Sequence, residues 1–189
     1  MQIRKATKAD APEIASCLLL AMDTIIHAFI GTKDNAAAKA FLMYFVSKEN
    51  NQYSYENCWV AVENNKVVGA INCYDGKNLE ALRVPILAYL KTNYNNTIII
   101  EDETQEGEVY IDTFGVKPDQ QGKGIGSQLL QFLIEKYVVD DKKTLGLLVE
   151  EANVAAKKLY LKLGFKPITK KTLVGKKMEQ LQIKPAFLS

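Results

Sequence analysis

The feature that most constrains the fold is a glycine-rich stretch where a strand meets a helix. Residues 116–130 read VKPDQQGKGIGSQLL, with glycines at 122, 124 and 126 directly before an apolar helical pattern. Glycine inside a helix costs about 1 kcal/mol relative to alanine, so we expect a compensating interaction. The unpaired N–H groups and positive dipole end of a helix start attract anions, and glycines let a phosphate approach them closely.

Two familiar phosphate loops do not match this stretch. A P-loop needs GxxxxGK[ST], which is absent from the chain. A dinucleotide fingerprint needs GxGxxG near a first strand, whereas the spacing here is GxGxG, deep in the chain. The stretch therefore predicts a phosphate or pyrophosphate cradle in which Gln121 and Lys123 add side-chain donors. The alternative is a simple turn between strand and helix.

Hydrophobic periodicity predicts an α/β layered domain around a mixed sheet. The first half reads as a strand at 1–6, two helices and a hairpin. Asp10 is the expected cap of the first helix, with Glu13 completing a capping box. The second helix covers 35–47, and the hairpin covers 58–76 around a turn at 63–66. Residues 79–96 are ambiguous, with a helix broken near Pro85 as one interpretation.

The second half of the chain predicts strands that alternate with helices. The order is a strand at 107–118, a helix at 124–138, a buried strand at 143–151, a helix from Asn153 to Gly164, and one or two late strands. The predicted order over the whole chain is β-α-α-β-β-(α)-β-α-β-α-β-β.

Composition narrows the classes of protein that fit. The 189 residues suit one domain, and 48% hydrophobic with 24% charged residues is ordinary for a globular protein. The charged start and the lack of an apolar run near 20 residues favour a cytoplasmic protein without a membrane partner. Three cysteines without CxxC spacing predict buried, inert thiols and no metal site, and the single histidine, His27, is expected to be structural.

Charge is unevenly distributed along the chain. Residues 151–189 hold nine lysines against two glutamates, which gives +7 there and −5 elsewhere. A basic end suggests an anionic ligand, with a solvated lysine-rich surface as the alternative. No arginine cluster or aromatic stripe accompanies the lysines, so we predict no nucleic-acid partner. The acidic stretch at 101–108 is interpreted as a flexible solvated loop rather than a site that attracts a cationic acceptor.

Two motifs resemble those of the GCN5-related N-acetyltransferase (GNAT) superfamily. Gln121-x-x-Gly124-x-Gly126 is similar to its acetyl-CoA loop, and a second motif follows one strand later: Asn153-x-x-Ala156-x-x-Leu159-Tyr160-x-x-x-Gly164-Phe165. Together they occupy about 109–165. The resemblance implies a single domain over 1–189, with a mixed central sheet flanked by helices. It also implies a splay between the strand ending near Val116 and the strand near 145–150.

The same resemblance implies acetyl-CoA as the acyl donor and no metal. Backbone groups of Phe114 and Val116 are expected to hold the pantetheine arm like an added strand, and Gly115 to permit a bulge at the splay. An N–H of Phe114 or Val116 is the candidate donor to the thioester oxygen. Asn153 is expected to contact the CoA arm, with a plain helix cap as the alternative. The expected pyrophosphate cradle comprises Gln121, Gly122, Lys123, Gly124, Ile125, Gly126 and Ser127.

Tyr160 is the predicted general acid, because a phenol stays protonated at neutral pH. The alternative is a tyrosine packed on its helix. Asp112 is the predicted base, since it shares a strand face with Glu108 and Tyr110 near the cleft. Its alternatives are a structural acid at the splay, or loss of the amine proton directly to solvent. Leu148 occupies the position where some family members place a glutamate.

The resulting hypothesis is an acetyl-CoA-dependent N-acetyltransferase. It would move the acetyl group by direct transfer to a primary amine of a small molecule or a protein. The alternative is a non-catalytic acyl-CoA-binding or sensing module of the same fold. A homodimer is common in the family, and the sequence does not decide that point.

Overall fold

The fold is built on one seven-stranded sheet with helices on both faces. The computed structural model describes residues 1–186. The strand order is β1-β2-β3-β4-β5-β7-β6; only β4 and β5 pair in parallel, and every other neighbouring pair is antiparallel. The strands are β1 (Gln2–Lys5), β2 (Cys58–Glu63), β3 (Lys66–Asp75), β4 (Glu108–Val116), β5 (Thr144–Glu150), β6 (Lys166–Leu173) and β7 (Lys176–Ile183).

Within the described residues, five α-helices cover the sheet, and two large hydrophobic cores and a smaller cluster of Tyr74, Leu79 and Tyr110 lie beneath them. One core packs α1, α2 and α3 against one face, and the other packs α4 and α5 against the opposite face. A wider π-helical segment, Ile134–Asp140, continues α4. The predicted mixed sheet and order of elements are confirmed. The helices are α1 (Ala11–Ile30), α2 (Asn35–Val46), α3 (Leu79–Tyr94), α4 (Ile125–Leu133) and α5 (Val154–Lys162).

The predicted splay is present between β4 and β5. Their pairing is confined to 108–111 on β4 and 144–147 on β5. Beyond that point β4 continues to Val116 while it pairs only with β3. The ladder between β3 and β4 shifts so that Asn72 faces Thr113 and Cys73 faces Ile111. Asp112 is thus the extra residue of a β-bulge, and it sits where the two strands begin to separate.

Gly115 does not form the bulge, which corrects the expectation from sequence. Its role is a close approach between α1 and β4. A Cβ added at Gly115 would lie 2.9 Å from the carbonyl carbon of Cys17, and nearer still to its oxygen. Only glycine lets the backbone of α1 approach β4 this closely.

Two other local expectations were wrong. Helix α3 runs through Pro85 without a break, so its other hydrogen bonds and the burial of Ile86 and Leu90 outweigh the one lost N–H. Glu13 completes no capping box with Asp10, which occupies the N-cap position of α1 as expected but makes no side-chain capping hydrogen bond. The Asp10 carboxylate instead accepts hydrogen bonds from the N–H and hydroxyl of Thr7, both at 2.8 Å, and pairs with Arg4.

The acidic stretch is a loop that is only partly solvated. Glu103 and Thr104 are each 3% exposed, and Glu108 is 4% exposed. Position 76 has glycine because a Cβ there would meet the backbone of Gln105. The expectation is therefore wrong for Glu103 and Glu108, which have buried partners that composition does not reveal, whereas the other acids of the stretch are exposed.

One helical stretch, Lys8–Ile30, is long and apolar enough to cross a membrane by length and composition, contrary to the expectation that no such run exists. In the structure it packs on the sheet. Ile14, Cys17 and Leu18 are fully buried in the first core. Its apolar character is therefore accounted for by burial within the fold.

Candidate active site

A cleft of about 280 Å³ opens where β4 and β5 separate. Its floor comes from both strands, with Asp112 and Phe114 on one side and Leu147 and Val149 on the other. Helix α5 contributes Tyr160, and the second half of α1 closes another wall. Because β4 loses its parallel partner after Ile111, its free backbone edge faces this space. Such an edge suits a ligand that pairs like an added strand.

A groove connects the cleft to the glycine-rich loop. It is lined by Leu20, Ala21, Phe114, Gly115, Val116 and Gln121, and it shares Ala21 and Phe114 with the cleft. The backbone of 114–116 therefore runs from the cleft toward the start of α4. This arrangement brings the predicted binding residues of β4 and the loop along one continuous path.

Backbone conformation and close packing explain why the loop has glycines. Gly122 and Gly124 have φ of +76° and +78°, in the left-handed region that side chains rarely adopt. Gly126 lies where a Cβ would stand 3.2 Å from the Phe114 ring, so α4 packs closely on β4. The first-turn N–H groups of α4 lack intrahelical partners and remain available to an anion.

The side chains of the predicted cradle differ in their surroundings: two bond within the loop, one is buried and one is half-buried. Gln121 donates its amide to the carbonyl of Val116 at 3.1 Å, and Lys123 donates to Gln120 at 2.8 Å, so both order the loop itself. Ile125 is buried in the core beside Gly69, which leaves its N–H as the group that can face a ligand. Ser127 is half-buried in the first turn of α4.

Tyr160 is packed in the cleft wall at 7% exposure. Its ring lies between those of Phe114 and Phe165, with centroids at 6.3 and 5.9 Å. Burial raises the pKa of the phenol above its ordinary value. Within residues 1–186 its hydroxyl has no hydrogen-bond partner, so its proton is available to a ligand in the cleft.

Asn153 caps α5. Its side-chain oxygen accepts a hydrogen bond from the N–H of Ala156 at 3.1 Å. The plain capping role that was the alternative is therefore present. Asn153 also lines the cleft, so its amide nitrogen stands at the same wall as Tyr160.

Asp112 has one oxygen bonded and one free. Oδ1 lies 3.4 Å from the amide nitrogen of Gln52, whereas Oδ2 is buried without a hydrogen-bond partner in the described part of the chain. Burial, reinforced by the nearby charge of Glu103, raises the pKa of the carboxyl to about 8. A carboxyl on the cleft lining with a raised pKa and a buried, unpaired oxygen is a candidate for a general base.

A buried polar network supports Asp112 from behind, and sequence reasoning missed it. Gln52 donates to Glu103 at 2.7 Å and lies 3.1 Å from the hydroxyl of Tyr74. Arg83 forms an ion pair with Glu103 and a second one with Asp102 at 2.9 Å. The Arg83 guanidinium also donates to the carbonyls of 100 and 101. The network thus fixes segment 100–103 against the cleft.

The other buried carboxylate of β4 is structural. Glu108 lies over Gly146, where a Cβ would clash with it. It accepts hydrogen bonds from Thr104 at 2.7 Å, Gln182 at 2.7 Å and Gln180 at 3.3 Å. Its acceptor sites are therefore occupied. Of the acids considered on this strand, Asp112 is the one with an oxygen that lacks a hydrogen-bond partner among the described residues.

The three cysteines lie buried and unpaired, outside the cleft lining. Burial raises the pKa of Cys17 and Cys73 to about 11 and that of Cys58 to about 12. Thiols with such pKa values hold little thiolate at neutral pH, so they are poor nucleophiles.

The acetyltransferase (GNAT) family profile matches residues 29–165, which is most of the chain and spans the splay, the loop and α5. The chain belongs to the GNAT family. A crystal structure described as an acetyltransferase is 28% identical, covers 98% of this chain and all of its own, and has a TM-score of 0.80. A structure from Salmonella typhimurium with its cofactor acetyl-CoA is 21% identical, covers 100% and 96% of the two chains, and has a TM-score of 0.59.

One curated relative of this GNAT protein is the L-methionine sulfoximine/L-methionine sulfone acetyltransferase of Pseudomonas aeruginosa. The two are 38% identical over 74 residues, which is 39% of this chain and 40% of that protein. The match therefore spans less than half of the relative's length. The family rests on the profile match and the fold rather than on this short alignment.

Proposed function

We propose that this GNAT protein transfers an acetyl group from acetyl-CoA directly to a primary amine. The observation that carries the proposal is the free edge of β4, which joins the glycine loop at one end to Tyr160 and Asp112 at the other. Binding, proton removal and proton donation are thereby available along one path. The proposed donor is a cytoplasmic metabolite, so the proposal also assigns the protein to the cytoplasm.

The residues that would hold the donor follow from this path. The N–H groups from Gln121 to Ser127 would bind the pyrophosphate, and the β4 backbone at Phe114 and Val116 would hold the extended arm. An N–H of the same edge would hydrogen-bond the carbonyl oxygen as negative charge develops there. Acetyl-CoA supplies the acetyl group as a thioester. Asn153, already the cap of α5, offers its amide nitrogen to the same arm.

Acetyl transfer also requires two proton transfers, which we assign to side chains. The amine nitrogen forms the amide bond and gives up a proton, which Asp112 accepts at its free Oδ2. The sulfur leaves the carbonyl carbon and takes up a proton. Because the pKa of Tyr160 is raised, its phenol is present as a donor across the neutral range. Its role is to hydrogen-bond the departing sulfur and to deliver a proton that solvent then replaces.

A small-molecule acceptor fits this cleft better than a protein. Its volume of about 280 Å³ must also contain the reacting end of the donor. The curated relative is named for two small molecules, L-methionine sulfoximine and L-methionine sulfone. Both considerations favour a compact amine.

The test compares Tyr160→Phe with wild type in a thiol-release assay over a panel of primary amines. General acid catalysis contributes about 10²–10⁴-fold, so we expect kcat to fall at least 100-fold while the Kd for acetyl-CoA stays unchanged. Tyr137→Phe is the matched control, because that half-buried tyrosine contacts Trp59 and Cys73 outside the cleft lining. Wild-type protein that binds acetyl-CoA but acetylates no amine would instead favour the non-catalytic module.

A further inference from the structure

Resting on the proposed function, we propose that the acceptor is a small primary amine with an apolar body, no carboxylate and no second cation. In the part of the chain that the structure describes, the cleft leaves one acid, Asp112, without a partner for its Oδ2, and apolar side chains line part of the space beyond it.

The carboxylates of the cleft are Glu103, Asp112 and Glu150, and two of them already have cations. Glu103 pairs with Arg83, and Glu150 Oε2 lies 2.9 Å from Lys176 Nζ. Asp112 has no ion-pair partner within residues 1–186, and its Oδ2 is unbonded. Asp112 is thus the acid of the cleft that can accept a hydrogen bond from an amine and, once ionised above its raised pKa, pair with one ammonium group.

An acceptor carboxylate has no equivalent place. Lys176 supplies the ammonium in the cleft lining of the described chain, and Glu150 already occupies it. Both side chains are more than a third exposed, at 35% and 41%, so the pair itself is weak. A bound carboxylate that shared Lys176 would nevertheless lie beside the negative charge of Glu150, which would repel it.

One part of the wall is apolar, beside polar lining residues such as Thr24, Gln52 and Thr113. The second half of α1 departs from helical geometry at Met22, where φ is −132°, and it presents Met22, Ile25 and Phe29 to the cleft. Ile100, Leu173 and Val174 line the cleft as well. Each CH₂ of an acceptor buried here would raise its affinity about fourfold, whereas a second ammonium would be desolvated without a partner.

The proposed acceptor of this protein differs from the amino acids for which its curated relative is named. L-methionine sulfone is an α-amino acid, so it carries the carboxylate that this cleft does not complement. The alignment to that relative covers 39% of this chain, which leaves room for the two acceptor sites to differ.

The experiment uses pairs of acceptors that differ only in the carboxylate. The pairs are phenethylamine with L-phenylalanine, and 3-(methylsulfonyl)propylamine with L-methionine sulfone. A third comparison sets butylamine against 1,4-diaminobutane, which adds a second cation. We expect kcat/KM to be at least tenfold higher for phenethylamine, for the sulfonyl amine and for butylamine than for their partners.

Glu150→Gln gives an independent check on the reasoning. It frees Lys176 to meet a carboxylate, so the preference for phenethylamine over phenylalanine should narrow at least threefold. Lys77→Gln is the control, because Lys77 lies outside the cleft lining and pairs with Asp75 at 3.8 Å. It should leave the preference unchanged.

The outcomes separate the two proposals. Amino acids that equal or surpass the matched amines would overturn this inference and leave the proposed function intact. So would an unchanged preference in Glu150→Gln. If no member of any pair is acetylated while acetyl-CoA binds, the proposed function fails and this inference fails with it.

Discussion

Gly115→Ala tests whether the contact between α1 and β4 sets the width of the cleft. The added Cβ would lie 2.9 Å from the carbonyl carbon of Cys17. Ordinary contact begins at 3.4 Å, so the backbones must separate by at least the 0.5 Å difference, and by more at the oxygen. Cys17 and Leu18 are fully buried, which means that α1 cannot yield locally without disturbing the first core.

Overpacking of this kind costs about 1–3 kcal/mol. For a chain of this size, each kcal/mol lowers Tm by about 2–4 °C, so we expect a fall of about 4–8 °C for a cost of about 2 kcal/mol. Leu20 and Ala21 line the groove opposite Gly115, so the Kd for acetyl-CoA should rise about tenfold, which corresponds to about 1.4 kcal/mol.

Gly31→Ala provides the control. Gly31 ends α1 at φ +70° with nothing within 4 Å of an added Cβ, so the change costs only backbone strain of about 1 kcal/mol. We expect it to lower Tm by about 2–4 °C and to leave the Kd unchanged. Scanning calorimetry and titration calorimetry measure both quantities. If Gly115→Ala keeps the wild-type Tm and Kd, the contact does not constrain the cleft.

Further predictions concern the protonation of Asp112 and the cap of α5 by Asn153. Because the pKa of Asp112 is raised to about 8, its base form is lost as pH falls through 8. We therefore expect kcat/KM to rise from pH 6 to 8. Asp112→Asn should lower kcat/KM and flatten that rise. Ionising a group with a raised pKa destabilises the fold, so wild-type stability should fall relative to Asp112→Asn as pH increases from 5 to 8, as measured by urea denaturation; equal slopes would contradict the assigned shift. Asn153→Ala removes the cap of α5 and should cost about 1 kcal/mol, or about 2–4 °C in Tm, and an unchanged Tm would show that the cap is dispensable.

Local patterns predicted the elements of this fold well. The Asn64-Asn65 turn, the strand alternation in β4 and the helix from Asn153 to Gly164 are short-range features whose geometry is encoded by neighbouring residues. The splay also followed from the motifs, because they carry the family's architecture. The assignments of Tyr160 to the acid role and Asp112 to the base role stay predictions until turnover is measured.

Long-range contacts account for what the sequence could not predict. Glu103 is held by Gln52 and Arg83, which lie 51 and 20 residues away along the chain, and no local pattern indicates such a partnership. The bulge falls at Asp112 rather than Gly115 because the register between β3 and β4 decides it. A buried arginine near a run of acids was the one available signal of the network, since a buried charge requires a partner.

The most direct test of the account is a thermal titration with acetyl-CoA, using ATP as the nucleotide control. At about 100 times its Kd, a ligand stabilises the fold by about 2.7 kcal/mol, which here means a rise in Tm of about 5–11 °C. We predict this rise for wild type and for Gly31→Glu, and its loss in Gly124→Glu, because both glycines have similar positive φ but only Gly124 begins α4. No shift with millimolar acetyl-CoA, or an equal shift in both variants, would contradict the claim that the glycine loop and the free edge of β4 bind the donor.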